Sequence, residues 1–238
     1  MDNAGVEIYN NNGILQITDI FKNIQFVSKM DVILNQSGSY SRFTWGQKLS
    51  RGSYIGALGD LTDSFFAVRC NDGDNQFIAI EIGYGIVTNT YNLYLYGAPN
   101  AKATVYKFSY ANIPSGNHFE VRNAANELVF SDKSNFMKVI DSERGSIPSW
   151  SAGQPIGVTS HSPKTKTAVA QGLGAWNNDY DTYYRMGDAC RQSYIFNSTA
   201  TLSTYEYMLY HSEKHNYYYD FTEGNQYYQY MVIDVTGL

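Results

Sequence analysis

Alternation between apolar and polar residues runs along most of this 238-residue chain and limits its fold more than any other feature. The two-residue period of a β-strand is clear in residues 6–9, 14–17, 77–82, 91–96 and 104–108. Segments of strand length separated by Gly, Asn, Asp and Pro are typical of antiparallel sandwiches and barrels. We therefore predict an all-β fold, an antiparallel β-sandwich or barrel-like structure, with helix in less than roughly a tenth of the chain.

An internal repeat divides the chain into two parts. The run Val6–Phe26 is matched 113 positions later by the run Phe119–Val139, each with a hairpin, an Asn-rich turn and a third strand. Two hairpins can look alike because all hairpins share this pattern, or the chain can hold two β units in tandem. We predict the tandem units, an N-terminal β domain over residues 1–113 and a C-terminal β domain over residues 118–238. The first hairpin should turn at residues 10–13 in a primed turn, with Gly13 supplying the positive φ.

The C-terminal domain contains an unusual segment and an aromatic end. Residues 142–180 hold three of the five prolines, and no charged residue stands between Gly145 and Pro163. A structureless connection of this length is uncommon in a compact domain. We therefore expect short strands here, or an extended arm that lies on a neighbouring subunit. From Tyr180 onward the chain carries 13 of its 22 tyrosines.

The composition excludes several classes of protein. Charged residues make up 16%, against roughly 25% in an average soluble domain, which is too few for a coiled coil or helical bundle. A net charge of −5 argues against a nucleic-acid partner. No run approaches the roughly 20 apolar residues of a membrane helix, and residues 1–5 lack the pattern of a signal peptide. We expect folding in a cytoplasm without membrane insertion, with Cys70 and Cys190 as reduced thiols or as one disulfide bridge.

The second hairpin carries a resemblance to a known family. Its sequence, FEVRNAANELVFSD over Phe119–Asp132, resembles the phrase GLQVYNASGELVFDS of small tail-tip and tail-fibre proteins of tailed bacteriophages. Phe136–Asp141 resembles the strand that follows that phrase, although His118 and Asn126 stand where glycines are usual. The resemblance is confined to two regions, residues 5–27 and 118–141. It implies a structural protein of the virion.

Sequence patterns of enzymes are missing. The chain has no phosphate-binding glycine loop, no nucleophile elbow and no paired-cysteine motif. His211 and His215 stand four apart, but their flanks are strand-like and the Glu of a zinc-protease motif is absent. Residues 177–188 loosely resemble a calcium loop without its glycine, and we interpret them as an acidic surface loop. We predict no enzymatic activity, no catalytic or metal-binding residue and no cofactor.

Tyrosines are the remaining functional signal. Adjacent tyrosines in a strand face opposite sides, so they fill both faces of a packed sheet or form a contact with other subunits. The candidate interface residues are Tyr217, Tyr218, Tyr219, Tyr227 and Tyr228. Aromatic rings beside carboxylates can also stack against sugar rings. The candidate ligand or receptor contacts are Trp176, Asp179, Tyr180, Asp181, Tyr183 and Tyr184.

These observations lead to one functional hypothesis and one alternative. The first is a structural subunit of a bacteriophage tail tip or tail fibre, located in the virion tail after assembly in the host cytoplasm. Its partners would be copies of itself in a trimer or hexamer, other tail proteins, and a host cell-surface receptor or glycan. The alternative is a carbohydrate-binding β-sandwich that acts as a lectin-like module.

Overall fold

The chain is all-β, as the sequence predicted. The computed structural model describes residues 5–18, 23–35, 48–49, 52–59, 64–72, 77–85, 90–110, 113–147, 154–174, 176–181, 186–211 and 221–238. These residues contain no helix. The strands of the first half are β1 (Glu7–Tyr9), β2 (Leu15–Thr18), β3 (Gln25–Ile33), β4 (Lys48–Leu49), β5 (Gly52–Gly59), β6 (Ser64–Cys70), β7 (Phe77–Gly85), β8 (Thr90–Gly97) and β9 (Lys102–Ser109).

The second half repeats eight of these nine strands, all but β4, and adds two others. Its strands are β10 (Glu120–Arg122), β11 (Leu128–Ser131), β12 (Lys138–Ser146), β13 (Gln154–Ser160), β14 (Thr167–Leu173), β15 (Trp176–Asp181), β16 (Met186–Phe196), β17 (Ala200–His211), β18 (Phe221–Asn225) and β19 (Tyr227–Asp234). β15 pairs with both β16 and β18, so the additional strands widen one sheet.

Two large antiparallel sheets pack face to face and do not close into a barrel. The first has the order β12-β19-β14-β6-β9-β3, and the main order of the second is β13-β17-β16-β7-β8-β5. Apolar side chains from both sheets form one core, because successive residues of a strand alternate between its faces. Its fully buried members include Val68, Val169 and Val232 of the first sheet and Ile78, Leu95 and Tyr194 of the second.

The two halves of the chain share both sheets. In the first sheet β6 meets β14 at the centre through Val68 and Val169, and in the second β7 meets β16 through Ile78 and Tyr194. Corresponding strands of the two halves occupy the same place when each sheet is counted inward from its two edges. In the first sheet, for example, β3 corresponds to β12, β9 to β19 and β6 to β14. The repeat seen in the sequence is therefore a repeat of structure, with the two units arranged as halves of one sandwich.

The two hairpins of the repeat have the same geometry. β1 and β2 pair through Glu7–Thr18 with a bulge before Tyr9, and β10 and β11 pair at the corresponding positions with a bulge before Arg122. In the first hairpin, the Gly13 amide donates to the Asn10 carbonyl at 3.0 Å. The second hairpin repeats this bond at the corresponding residues.

The turn type differs from the primed turn that the sequence predicted. Gly13 has φ of 75°, and Asn126 at the same place in the second hairpin has φ of 64°. The positive φ falls on the last residue of a three-residue loop. That residue forms a bulge where the loop joins the next strand. The Asn10 side chain stabilises this turn because its Oδ1 accepts hydrogen bonds from the amides of Asn12 and Ile14, both at 2.9 Å.

Residues 142–180 form strands, the first of the two alternatives expected from the sequence. They contain the end of β12, all of β13 and β14, and most of β15. β14 lies at the centre of the first sheet, and Ala168 and Val169 are fully buried. The described part of this segment therefore belongs to the sandwich.

We predict that Gly13→Val lowers the free energy of unfolding by about 1–2 kcal/mol, because a β-branched residue is strained at positive φ. Gly13→Asn is the matched control, since asparagine already occupies the corresponding position at Asn126. Chemical denaturation measures both. Equal stability of the valine variant and the wild type would contradict the turn geometry.

Candidate functional site

Five of the aromatic residues predicted to be functional lie outside the described residues. These are Tyr183, Tyr184, Tyr217, Tyr218 and Tyr219. Trp176, Asp179, Tyr180 and Asp181 lie on β15, one of the two strands that the second half adds. Only the backbone of these four residues is described, as part of this strand.

The two remaining interface candidates have different environments. Tyr227 is 57% exposed, whereas Tyr228 is half-buried against Ile147 and Ile156. The Tyr228 ring lies over its cross-strand neighbour Gly145, where a Cβ would come within 2.6 Å of the hydroxyl. Burial, followed by the charge of Glu143, raises the pKa of Tyr228. Tyr227 is exposed, and Tyr228 packs partly against the core.

The two hairpins differ in the exposure of one apolar residue, and this difference defines the candidate functional site. Ile8 of the first hairpin is 41% exposed, but Val121 at the corresponding position of the second is 5% exposed. Val121 packs in a small cluster with Val129 and Phe130, and Ile17 of the first hairpin joins this cluster. Ile17 of the first hairpin thus covers part of the second hairpin, while its cross-strand neighbour Ile8 stays exposed.

The sequence difference behind this asymmetry is local. Position 129 is a buried valine in the second hairpin, and the corresponding position in the first is the polar Gln16. Phe136, which packs on Phe130 with ring centroids 5.2 Å apart, corresponds to Asn23. The first hairpin therefore lacks the two apolar residues that would cover Ile8.

Amide side chains attach the first hairpin to the edge of the first sheet. Gln16 binds both backbone groups of Val139 in β12, donating to the carbonyl and accepting from the amide at 3.1 Å each. Asn10 donates to the same carbonyl at 2.8 Å, and Asn12 donates to that of Ile140 at 3.0 Å. These bonds satisfy backbone groups that an edge strand would otherwise leave unpaired.

A groove of about 450 Å³ lies between this hairpin and β12. Its volume is within the usual range of ligand sites, about 300–1,000 Å³. Ile8 and the exposed Asn11 line the hairpin side, and Phe136, Lys138 and Asp234 line the opposite side. The Lys138 ammonium lies 5.8 Å from the centre of the Phe136 ring. The groove combines an apolar surface, amides and both signs of charge.

The opposite edge of the first sheet is also apolar and open. Val27, Met30 and Ile33 of β3 are each between 45% and 50% exposed. An exposed edge strand offers backbone donors and acceptors to another chain, and apolar side chains on it favour such pairing. Exposed apolar side chains thus lie on the first hairpin, at Val6, Ile8 and Leu15, and separately along β3 at the opposite edge of the sheet.

Two carboxylates fasten the connection between the halves to the second hairpin. Glu120 accepts hydrogen bonds from the Ser115 hydroxyl and the Gly116 amide, at 2.8 and 2.9 Å. Asp132 accepts bonds from the amides of Asn117 and His118, at 2.9 and 3.1 Å. The hydrogen bond from Ser115 and then that from Arg122 lower the pKa of Glu120, and the Asn117 amide lowers that of Asp132.

Sequence reasoning missed the buried tyrosines of the second half. Tyr194 and Tyr230 are among the largest fully buried side chains, with ring centroids 5.3 Å apart. The Tyr194 hydroxyl donates to Gln171 at 2.8 Å. The signal in the sequence that could have found them is the spacing of Tyr228 and Tyr230, because residues two apart lie on one face of β19.

The described residues hold no group of three or more His, Cys, Asp or Glu side chains that could bind a metal ion. Among the same residues, no helix is long and apolar enough to cross a membrane. Cys70 is a buried free thiol whose pKa is raised by burial. Comparisons with protein-family models, with curated proteins and with solved structures give no match.

We predict that Tyr228→Ala lowers the free energy of unfolding by about 1–3 kcal/mol, less than a fully buried aromatic residue because the ring is half-buried. Tyr227→Ala is the matched neighbour and should change stability by less than about 0.5 kcal/mol. Thermal and chemical denaturation distinguish the two. Equal losses in both variants would show that the assignment of core and surface is incorrect.

The carboxylates of Glu120 and Asp132 should make the fold sensitive to acid. Their pKa values are lower in the folded chain, so their contribution to stability is present above the unfolded values near pH 4 and is lost as the pH falls through the lowered values. The double variant Glu120→Gln with Asp132→Asn should lose less stability between pH 5 and pH 3 than the wild type. Parallel losses in denaturation across this pH range would contradict the role of these carboxylates.

Proposed function

We propose that this protein is a structural subunit of a bacteriophage tail tip or tail fibre. The support from sequence is the resemblance of the hairpin phrases at residues 5–27 and 118–141 to such proteins. The support from structure is an all-β sandwich that exposes apolar side chains, among them Ile8 of the first hairpin and Val27, Met30 and Ile33 of the edge strand β3. The protein assembles in the host cytoplasm, becomes part of the virion tail and performs no catalysis.

The observation that carries the proposal is the exposure of Ile8 beside the burial of Val121. The same hairpin occurs twice in one chain, and Ile8 of the first is exposed where Val121 of the second is buried. Val6 and Ile8 lie two positions apart and so share a face, and exposed apolar patches mark sites of protein contact. A neighbouring subunit would cover this face, as the first hairpin covers the second.

The edge strand β3 supplies a second means of contact. An added strand from another subunit can pair with its backbone while its side chains pack on Val27 and Met30. Repeated use of the same contact around an axis gives a closed ring, and a trimer or hexamer satisfies this condition. Other tail proteins and a host receptor or glycan are the further partners.

Carbohydrate binding is the second candidate function, and the groove beside the first hairpin favours it. Asn11, Lys138 and Asp234 offer donors and acceptors to hydroxyl groups, and Phe136 offers an aromatic ring. A glycan array tests this function directly. Binding that is lost in Asn11→Trp, which blocks the groove, would favour a lectin over a purely structural subunit.

We predict that the purified chain forms an oligomer and that Ile8→Asp converts it to monomers, because a carboxylate in an apolar contact is costly to bury. Analytical ultracentrifugation measures the mass, and circular dichroism should show that the monomeric variant remains folded. The matched control is Val121→Asp, which should lower the unfolding midpoint because Val121 is buried within the chain.

Two results would contradict the proposal. One is a wild-type chain that remains monomeric across a wide range of concentration. The other is immunogold labelling of virions that finds the protein absent from the tail. Labelling at the tail tip or along a fibre would identify its position.

A further inference from the structure

The two halves of the first sheet correspond position by position. Met30 of β3 pairs with Val105 of β9, and Glu143 of β12 pairs with Tyr230 of β19 at the corresponding place. Val105 also pairs with Val68, as Tyr230 pairs with Gln171. Val105 and Tyr230 are therefore equivalent positions in the two halves.

Edge strands of the second sheet face these positions in both halves, and each carries a glycine there. Gly56 of β5 pairs with Leu93, and Gly157 of β13 pairs with Ser203. Leu58 and Thr159 follow two residues after these glycines. Each half thus has a cleft between the edge strands of the two sheets, with a glycine on one side and Val105 or Tyr230 on the other.

In the second half this cleft is filled by a side chain of the protein itself. Tyr230 is 2% exposed, and its hydroxyl lies where a Cβ on Gly157 would be only 2.5 Å away. Thr159 donates a hydrogen bond to Asp141 of β12 at 3.1 Å and so links the two edge strands. A tyrosine ring and a cross-link close the second-half cleft.

In the first half the corresponding cleft is open. A cavity of about 220 Å³ is lined by Met30, Gly56, Leu58, Leu93 and Val105. Val105 is shorter than a tyrosine, and Gly56 leaves the opposite side of the cavity without a side chain. The cavity therefore occupies the place that the Tyr230 ring fills in the other half.

Positive charge lies at the rim of the first-half cleft. Lys107 lines the cavity, and its ammonium is 5.9 Å from the centre of the Phe66 ring. Lys29 also lines the cavity and donates a hydrogen bond to the Leu238 carbonyl at 2.7 Å. In the second half, the positions of these lysines are occupied by Val232 and Ser142. The open cleft thus combines an apolar interior with a cationic rim.

We propose that the first-half cleft binds the aromatic side chain of an acidic segment of a partner protein, a tyrosine or phenylalanine next to an aspartate or glutamate. The ring enters between Gly56 and Val105, as Tyr230 does beside Gly157. The neighbouring carboxylate faces Lys107, whose charge is complementary to it. This site is independent of whether the protein belongs to a virion.

The test uses the peptide acetyl-Asp-Tyr-Asp-amide and NMR of the full chain. We expect saturable shifts of the amide signals of Met30, Leu93 and Val105 below about 10 mM peptide, the weak range typical of a single anchor residue. Acetyl-Asp-Ala-Asp-amide should give no saturable shift because it lacks the ring. Acetyl-Lys-Tyr-Lys-amide should bind at least about threefold more weakly because its charge is repelled by Lys107.

Two variants separate binding at this cleft from binding elsewhere. Val105→Tyr places in the first half the residue that fills the second, so it should fold and reduce peptide affinity at least about tenfold. Lys107→Gln removes the charge of a half-buried residue that lines the cavity, keeps a side chain of similar length and should weaken the acidic peptide about threefold. This second variant keeps the test decisive if Val105→Tyr fails to fold.

Three results would overturn the proposal. The first is the absence of saturable shifts in the wild type, and the second is an alanine peptide that binds as well as the tyrosine peptide. The third is unchanged affinity in a folded Val105→Tyr variant. Unchanged affinity of Lys107→Gln for the acidic peptide would overturn the assigned role of the charged rim.

Discussion

The edge-to-edge pairing of β6 with β14 is the contact on which the rest of the structure depends. Each half contributes three strands to each main sheet order, and alone it would leave a central strand with unpaired backbone groups. Joining the halves removes this open edge and places Val68 beside Val169 in the interior, where both are fully buried. The same join recurs between β7 and β16 in the second sheet. The whole chain is therefore the unit that satisfies the backbone and closes the core.

The two halves of this symmetrical sandwich differ at two places, and at both the first half is open where the second is closed. The second hairpin is covered by Ile17, while Ile8 of the first stays exposed. The second-half cleft is filled by Tyr230, while the first-half cleft is open beside Val105. Each difference arises from a few side chains. The first half thus has an exposed Ile8 and an open cleft, whereas the second half buries Val121 and fills its cleft with Tyr230.

The sequence was most informative where a structure depends on neighbouring residues. Alternation predicted the strands, and the repeated phrase predicted two hairpins with the same register. The sequence was less informative for the candidate site, since tyrosine can serve as core or as surface with equal ease. Tyr228 and Tyr230 lie on one face of β19, but only the packing of the opposite sheet shows that this face is the core.

By itself, the amino-acid sequence determined the all-β class, the repeated hairpin phrase and the positive φ of Gly13, because these rest on periods and bonds within a few residues. Only the tertiary structure decided that the repeats share both sheets, since strand pairing across the halves joins residues far apart in the chain. It also decided that Val121 is covered and Ile8 is open, because the cover is Ile17, more than a hundred positions from Val121. Burial is a property of what packs opposite a side chain, and no local pattern specifies that partner.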